Sequence, residues 1–245
     1  VITLCQNWPR IIANKLFGFP IKNIILRNGT KFSVDKKIGK ADLSMLVEIW
    51  YRQFYTPPFF EIRPGDIVFD IGANNGFFTL FAAIKATKGK VFAFEPLPHL
   101  VTIINNSVAA NKLINVSVEP IALTDTTGES VFYQSLEHNG CHSLYRRSPS
   151  DIEIKIKTDT LENFCRQKNI TKINLMKLDC EGAEYAILLN MSDKMTSQIE
   201  RLSMEYHDDI NIHRHEEVVT FLETRGFQVT CCAGYLYALN RRMEN

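Results

Sequence analysis

Long hydrophobic runs are missing: nowhere in the 245 residues do about 18 apolar residues follow one another, so no membrane-spanning helix is expected. Charge of one sign is missing as well. The 28 Lys and Arg stand against 27 Asp and Glu, and the resulting net charge of +1 gives no case for a nucleic-acid or membrane partner. None of the six cysteines (Cys5, Cys141, Cys165, Cys180, Cys231, Cys232) forms a Cys-x-x-Cys pair, which argues against a zinc cluster. They read as reduced thiols, and with no signal-peptide pattern at the N-terminus the expected location is cytoplasmic. His215-Glu216 lacks the second histidine of a His-Glu-x-x-His site, so His213 and His215 are expected only at a polar helix start.

What is present is the composition of an ordinary globule, 45% hydrophobic and 22% charged, long enough for one large α/β fold with a substantial core. The stretch from Asp66 to Ala83 organises it. Ile67 to Ile71 is a short β-branched and aromatic run after the Pro64-Gly65 break, and reads as a buried strand. From Gly76 the period changes to helical, with Phe77, Leu80, Phe81 and Ile84 on one side. A strand that turns through Gly72 and Gly76 into a helix leaves free N–H groups for a polar ligand. Asp70-x-Gly72-x-x-x-Gly76, with Ala73, Asn74 and Asn75 between, lacks the middle glycine that admits a pyrophosphate in Gly-x-Gly-x-x-Gly. The acid before the loop suits a cationic ligand such as S-adenosylmethionine, and the loop resembles the first signature of class I methyltransferases. The alternative is a plain strand-to-helix turn.

Taken in order, residues 1–65 form an expected N-terminal cap and residues 66–245 the ligand-binding fold. Residues 1–23 suggest a short amphipathic helix. Ile24–Leu26 and Lys31–Val34 flank Asn28-Gly29, which predicts a two-residue hairpin turn. Asp42 to Phe54 has helical spacing and ends at Thr56-Pro57-Pro58. A second strand, Gly89 to Phe94, leads to Glu95-Pro96. An acid at that strand end, 19 residues after Gly76, suits a pair of ribose hydroxyls. A helix over Pro98–Asn111 and a third strand over Val116–Ile121 follow, with Ala122 and Leu123 expected beside an adenine. Val131–Tyr133 predicts a short strand. Ser135 to Asp151, with His138, Gly140, His142, Tyr145, Arg146 and Arg147, reads as a long surface loop of the kind that often serves as a lid. Alternating Ile152, Ile154 and Ile156 predict a half-exposed strand, and Asp159 with Glu162 a capping box for a helix over Leu161–Gln167.

Lys177-Leu-Asp179-Cys-Glu181-Gly182-Ala-Glu184 is again a strand running into acids and a glycine turn, with Lys177 and Asp179 on one strand face. Glu205 and His207 share a face at the end of the next strand. Carboxylates crowded with a lysine at the mouth of a sheet are where pKa values shift and catalytic groups occur. A helix over His213–Thr224 and two strands, Phe227–Cys231 and Tyr235–Leu239, close the chain.

Together, Asp-Ile-Gly-Ala-Asn-x-Gly-Phe-Phe at Asp70–Phe78, Phe94-Glu95-Pro96, Asp159-Thr160-Leu161, Lys177–Glu184, Glu205-x-His207 and Gly226-Phe227 resemble the FkbM-type methyltransferases over roughly residues 24–240. The resemblance implies an α/β class I methyltransferase (Rossmann-like) fold. Its seven-stranded, mostly parallel sheet would have an antiparallel last strand and helices on both faces, with a small N-terminal hairpin and helix as cap. It further implies S-adenosylmethionine as cofactor and O-methylation of a sugar, glycan or polyketide-like hydroxyl. The expected cofactor-binding residues are Asp70, Gly72, Ala73, Asn74, Gly76, Glu95, Pro96, Ala122, Leu123 and Asp179. The expected catalytic group is Lys177, Asp179, Glu181, Glu205 and His207, with His207 or Asp179 as base. A divalent cation on Asp179, Glu181 and Glu205 is a variant of the same site. Two alternatives are a nicotinamide-dependent sugar enzyme, which lacks its Gly-x-Gly-x-x-Gly and Tyr-x-x-x-Lys here, and a non-catalytic cofactor-binding module.

Overall fold

The computed structural model describes residues 2–34, 38–135, 143–210 and 212–243. The chain begins with helix α1 (Trp8–Phe17), with Pro9 in its first turn, where a missing N–H costs nothing, and Gly18 (φ 73°) closing its end in the left-handed region. The hairpin β1 (Asn23–Ile25) and β2 (Lys31–Ser33) pairs Ile24 with Phe32. Its loop has three residues rather than the two expected: Leu26 N donates to Thr30 O at 2.8 Å and Gly29 N to Leu26 O at 3.0 Å. Asn28 spends its Oδ1 on Thr30 N (3.1 Å), and of the two turn residues only Gly29 takes positive φ, at 89°. Helix α2 (Lys40–Val47) runs into a π-helical turn at Glu48–Arg52.

The ligand fold then alternates strand and helix: β3 (Ile67–Ile71), α3 (Phe77–Lys85), β4 (Lys90–Phe94), α4 (Pro98–Ala110) and β5 (Val116–Glu119). The third strand was expected to reach Ile121 but ends at Glu119. Pro120 has no N–H to continue the ladder. The short β6 (Ala122–Leu123) instead joins β7 (Gly128–Gln134) and β8 (Ile152–Asp159) in a separate sheet ordered β6-β8-β7. Next come α5 (Leu161–Lys168), β9 (Leu175–Leu178), α6 (Glu184–Leu189), α7 (Asp193–Ser197), β10 (Arg201–Glu205), α8 (His215–Glu223), β11 (Phe227–Cys232) and β12 (Tyr235–Asn240). The cap of α5 is Thr160, whose Oγ1 accepts from Asn163 N at 3.1 Å, and not the expected Asp159. Asp159 Oδ1 serves Thr127 Oγ1 (2.7 Å) and Thr160 N (2.8 Å), and Glu162 reaches Ser192 N (2.7 Å).

The main sheet has the order β11-β12-β10-β9-β3-β4-β5. Neighbours from β10 to β5 are parallel, while β12 lies antiparallel between β10 and β11. This is the class I methyltransferase, Rossmann-like fold. One core cluster packs Phe69, Phe92 and Phe94 against Phe164, with ring centroids 4.8–5.9 Å apart. Another joins the N-terminal segment to α3. Phe32 meets Phe77 edge to face at 5.0 Å, Trp50 meets Phe81 at 5.3 Å, and Trp50 Nε1 donates to Phe77 O at 3.0 Å. Each buried ring contributes about 1.5–3 kcal/mol, so the first 65 residues hold α3, and with it the glycine loop, in place.

Candidate active site

The carboxyl ends of β3, β4, β9 and β10 open into one cleft. Gly72 (φ 76°) begins its floor. A Cβ there would lie 1.9 Å from the carbonyl oxygen of Asp179, so the loop after β3 and the loop after β9 touch backbone to backbone only because residue 72 has no side chain. Gly72, Ala73, Asn74, Glu95, Pro96, Ala122, Leu123 and Asp179, all expected at the cofactor, line the cleft together with Phe94, Phe132 and Leu144.

Asp70 and Gly76 are also expected there and do not line the cleft. Asp70 is fully buried beneath it, accepting from Thr79 Oγ1 at 2.5 Å and pairing with Lys177 Nζ at 3.2 Å. Its charge is therefore matched inside the protein and is not aimed at a ligand, which corrects the electrostatic reason for expecting a cation. Gly76 (φ 75°) starts α3, and a Cβ on it would press on Ile104 of α4 at 3.0 Å. Glu95 bridges the two turns, accepting from Asn74 N and Leu97 N at 2.9 Å each. Burial pushes its carboxyl up to about 7, against the pull of those two N–H groups.

The second constellation is assembled around Asp179. Lys177 Nζ lies 3.5 Å from its Oδ2 and donates to Gly72 O at 2.7 Å. Burial alone would lower the Lys177 pKa, but Asp70 and Asp179 overcome it and raise the value. Tyr55, from the segment after α2, places its hydroxyl 2.8 Å from both Asp179 Oδ2 and Glu205 Oε2. One phenolic proton is shared between the two carboxyl groups. Burial and then Asp179 push Glu205 up to about 7, whereas Asp179 is held below the ordinary range, its burial outweighed by Lys177, His207 and Tyr55. The Tyr55 hydroxyl thus faces both acids as a donor, and its hydrogen bonds pull both carboxyl pKa values down.

Glu184, buried to 0% exposure, folds the turn by accepting from Cys180 N and Gly182 N at 2.7 Å each, and its Oε1 lies 3.2 Å from His207 Nδ1. Burial opposes a charge on His207, but Glu184, Asp179 and Glu181 raise it to about 10. An imidazole that is already protonated at neutral pH has no lone pair to offer, which argues against His207 as base. Glu181 sits at φ 55°, a left-handed conformation that is strained for glutamate. Its Oε2 is 2.8 Å from Arg147 Nη1 and 3.7 Å from His207 Nε2. Burial raises it to about 7, with His207 pulling down, Asp179 pushing up and Arg147 pulling down.

Residues 143–151 of the long loop lie over this turn: Ser143 Oγ donates to Glu181 O at 2.6 Å and Arg147 holds the Glu181 carboxylate. Cys141 and the loop residues His138, Gly140 and His142 lie outside the described residues. Tyr55, Arg147 and Glu184 join the site without having been chosen from the sequence. Tyr55 lies 124 residues from Asp179, and nothing local marks it. Glu184 had a signal in the acid run Asp179-x-Glu181-x-x-Glu184.

Residues 70–229 match the family model for the methyltransferase FkbM domain. The chain belongs to the FkbM methyltransferase family. It is 27% identical over 222 residues to the 31-O-demethyl-FK506 methyltransferase FkbM of Streptomyces tacrolimicus, covering 77% of this chain and 84% of that one. To the hexuronic acid methyltransferase AglP of Haloferax volcanii it is 29% identical over 140 residues, 56% of this chain and 54% of that one. A SAM-dependent methyltransferase of Aquifex aeolicus superposes with a TM-score of 0.42 at 14% identity, covering 83% of this chain and 100% of that one. As an FkbM-family protein the chain is an S-adenosylmethionine-dependent methyltransferase, and the nicotinamide and non-catalytic alternatives fall away.

The donor set of this FkbM site does not suit a divalent cation. Asp179, Glu181 and Glu205 do not converge; the ligand atoms that come within 4.8 Å of one another here belong to Asp179, Glu184 and His207. Glu184 is committed to two backbone N–H groups, His207 is held protonated, and Asp179 already faces the Lys177 ammonium.

Proposed function

We propose that this methyltransferase is an O-methyltransferase acting on a hydroxyl of a sugar, glycan or polyketide-like small molecule. The observation that carries the reading is a carboxyl group with a pKa near neutrality on the wall of the cofactor cleft, Glu181, next to a fixed cluster of charges. Transfer from a sulfonium needs little chemistry beyond alignment, but an alcohol acceptor must lose its proton as it attacks. A carboxylate poised near the working pH meets that need. Two relatives point the same way, one named for 31-O-demethyl-FK506 and one for a hexuronic acid.

In this reading Gly72, Ala73 and Asn74 would present backbone to S-adenosylmethionine, Glu95 would accept from its ribose hydroxyls, and Ala122 and Leu123 would flank its adenine. Asp70 and Gly76 act indirectly, by fixing Lys177 and the start of α3. S-adenosylmethionine would supply the methyl group to the acceptor oxygen and leave as its neutral thioether, and Glu181 would take the hydroxyl proton. Asp179 stays ionised on the Lys177 side, and His207 stays an imidazolium that orients Glu181. No step needs a metal.

Glu181→Gln is expected to lower kcat by about 10²–10⁴-fold while calorimetry shows unchanged S-adenosylmethionine affinity. The wild-type rate should fall as pH drops through about 7, where Glu181 gains its proton, and the variant should lose that limb. An unchanged rate and pH profile in Glu181→Gln would remove Glu181 as base.

A further inference from the structure

Helix α1 is apolar on two sides. Its inner side buries Ile11 and Asn14, and Asn14 Oδ1 accepts from Ile38 N at 3.0 Å, which fastens the helix to the start of α2. Away from Ile11 the helix exposes Ile12 (38%) and Leu16 (68%), and at its C-terminal end Phe17 (72%) and, beyond the helix, Phe19 (62%) are exposed as well. The Phe17 and Phe19 rings are 6.2 Å apart, so they form one patch. At 3.6 residues per turn Pro9, Ile12 and Leu16 share a stripe, and the exposed cations Arg10 and Lys15 fall on either side of it.

The net charge of +1 conceals a strong asymmetry. The first 40 residues hold eight Lys or Arg (Arg10, Lys15, Lys22, Arg27, Lys31, Lys36, Lys37, Lys40) and one acid, Asp35, a balance of +7. Residues 41–245 therefore carry −6. We infer that the C-terminal end of α1, with the turn through Phe19, docks on the headgroup surface of a bilayer containing anionic lipid. Leu16, Phe17 and Phe19 enter the acyl boundary, and the flanking cations meet lipid phosphates.

Other occupants match this face less well. A second copy packed about a twofold axis would bring the Arg10 and Lys15 cations of two chains together. A nucleic acid would neutralise the cations and leave Ile12 and Leu16 with nothing apolar to cover them. A bilayer surface satisfies both features at once. The helix stands one element from the cleft, since Ala41, Ser44, Met45 and Glu48 of the segment fastened to it form part of the cleft wall.

The test is flotation of the 245-residue chain with vesicles of phosphatidylcholine alone, or with about one-third phosphatidylglycerol. Binding is expected to the anionic vesicles only, and to weaken in 1 M salt. A Leu16→Ser, Phe17→Ser, Phe19→Ser variant should bind at least about tenfold more weakly. Lys15→Glu with Lys22→Glu, a change of four elementary charges, should lose about a hundredfold or more, at roughly fivefold for each. All these side chains are exposed, and unchanged S-adenosylmethionine binding certifies that the variants are folded. Failure of the wild-type chain to float with anionic vesicles would overturn the inference. So would binding indifferent to both variants, a dimer that the serine variant abolishes, or capture of single-stranded RNA as strong as that of the vesicles.

Discussion

At the scale of single residues the site depends on one hydroxyl and one missing side chain. Tyr55 separates Asp179 from Glu205, and Tyr55→Phe leaves two carboxyl groups facing each other without the shared proton. The variant is expected to lose about 1–3 kcal/mol of stability. The loss should depend on pH. The phenol's hydrogen bond pulls the Glu205 pKa down, so without it the folded-state value rises above about 7, from an ordinary value of 4.5. A raised acid stabilises fully below its unfolded value and loses that contribution as pH climbs through the folded value. Denaturant melts should therefore show a smaller deficit at pH 5 than at pH 8. Gly72→Ala is expected to abolish S-adenosylmethionine binding by calorimetry, because its Cβ meets the Asp179 carbonyl oxygen at 1.9 Å. Gly65→Ala, with open space around it and no positive φ, is expected to bind normally.

At the scale of elements, β10 is locked to the approach to β3 by a buried guanidinium. Arg201, with 0% exposure, donates to Asp66 Oδ2 at 2.6 Å, Glu61 O at 2.5 Å and Asn174 O at 3.0 Å. Arg201→Met leaves Asp66 buried without its partner and should cost about 3–5 kcal/mol, seen as a fall in Tm of about 6–20 °C. Arg63→Ala removes the ion pair with Glu200, but Arg63 is 61% exposed, and the loss should stay below about 1 kcal/mol. The elements themselves were largely legible. Apolar runs located β3, β4 and β9, which are buried on both faces, and helical spacing located α3, α4 and α8. Two boundaries failed where chemistry outside the pattern intervened. Pro120 cut the third strand, and Thr160 rather than Asp159 capped α5 because Asp159 was engaged by Thr127.

At the scale of the molecule, the fold opens a cleft between the loops after β3, β4 and β9. A ligand that binds only the native state at 100 times its Kd adds about 2.7 kcal/mol. S-adenosylmethionine at that level is expected to raise Tm by about 5–11 °C in a thermal melt, and NAD by none. A chelator is expected to leave turnover unchanged, because the cluster of Asp179, Glu184 and His207 is already occupied by protein donors and by Lys177. No helix among the described residues is long and apolar enough to cross a membrane.

The order of motifs determined the family, the cofactor and the two strand ends at which the site would form, since glycine spacing and strand-end acids are local properties of the chain. Tertiary structure alone decided what those acids do. Asp70 turned inward to Lys177, His207 became a cation among three carboxylates, and Tyr55 arrived from 124 residues away to share a proton between Asp179 and Glu205. Protonation depends on burial and on neighbours brought in from distant segments, and a linear pattern carries neither.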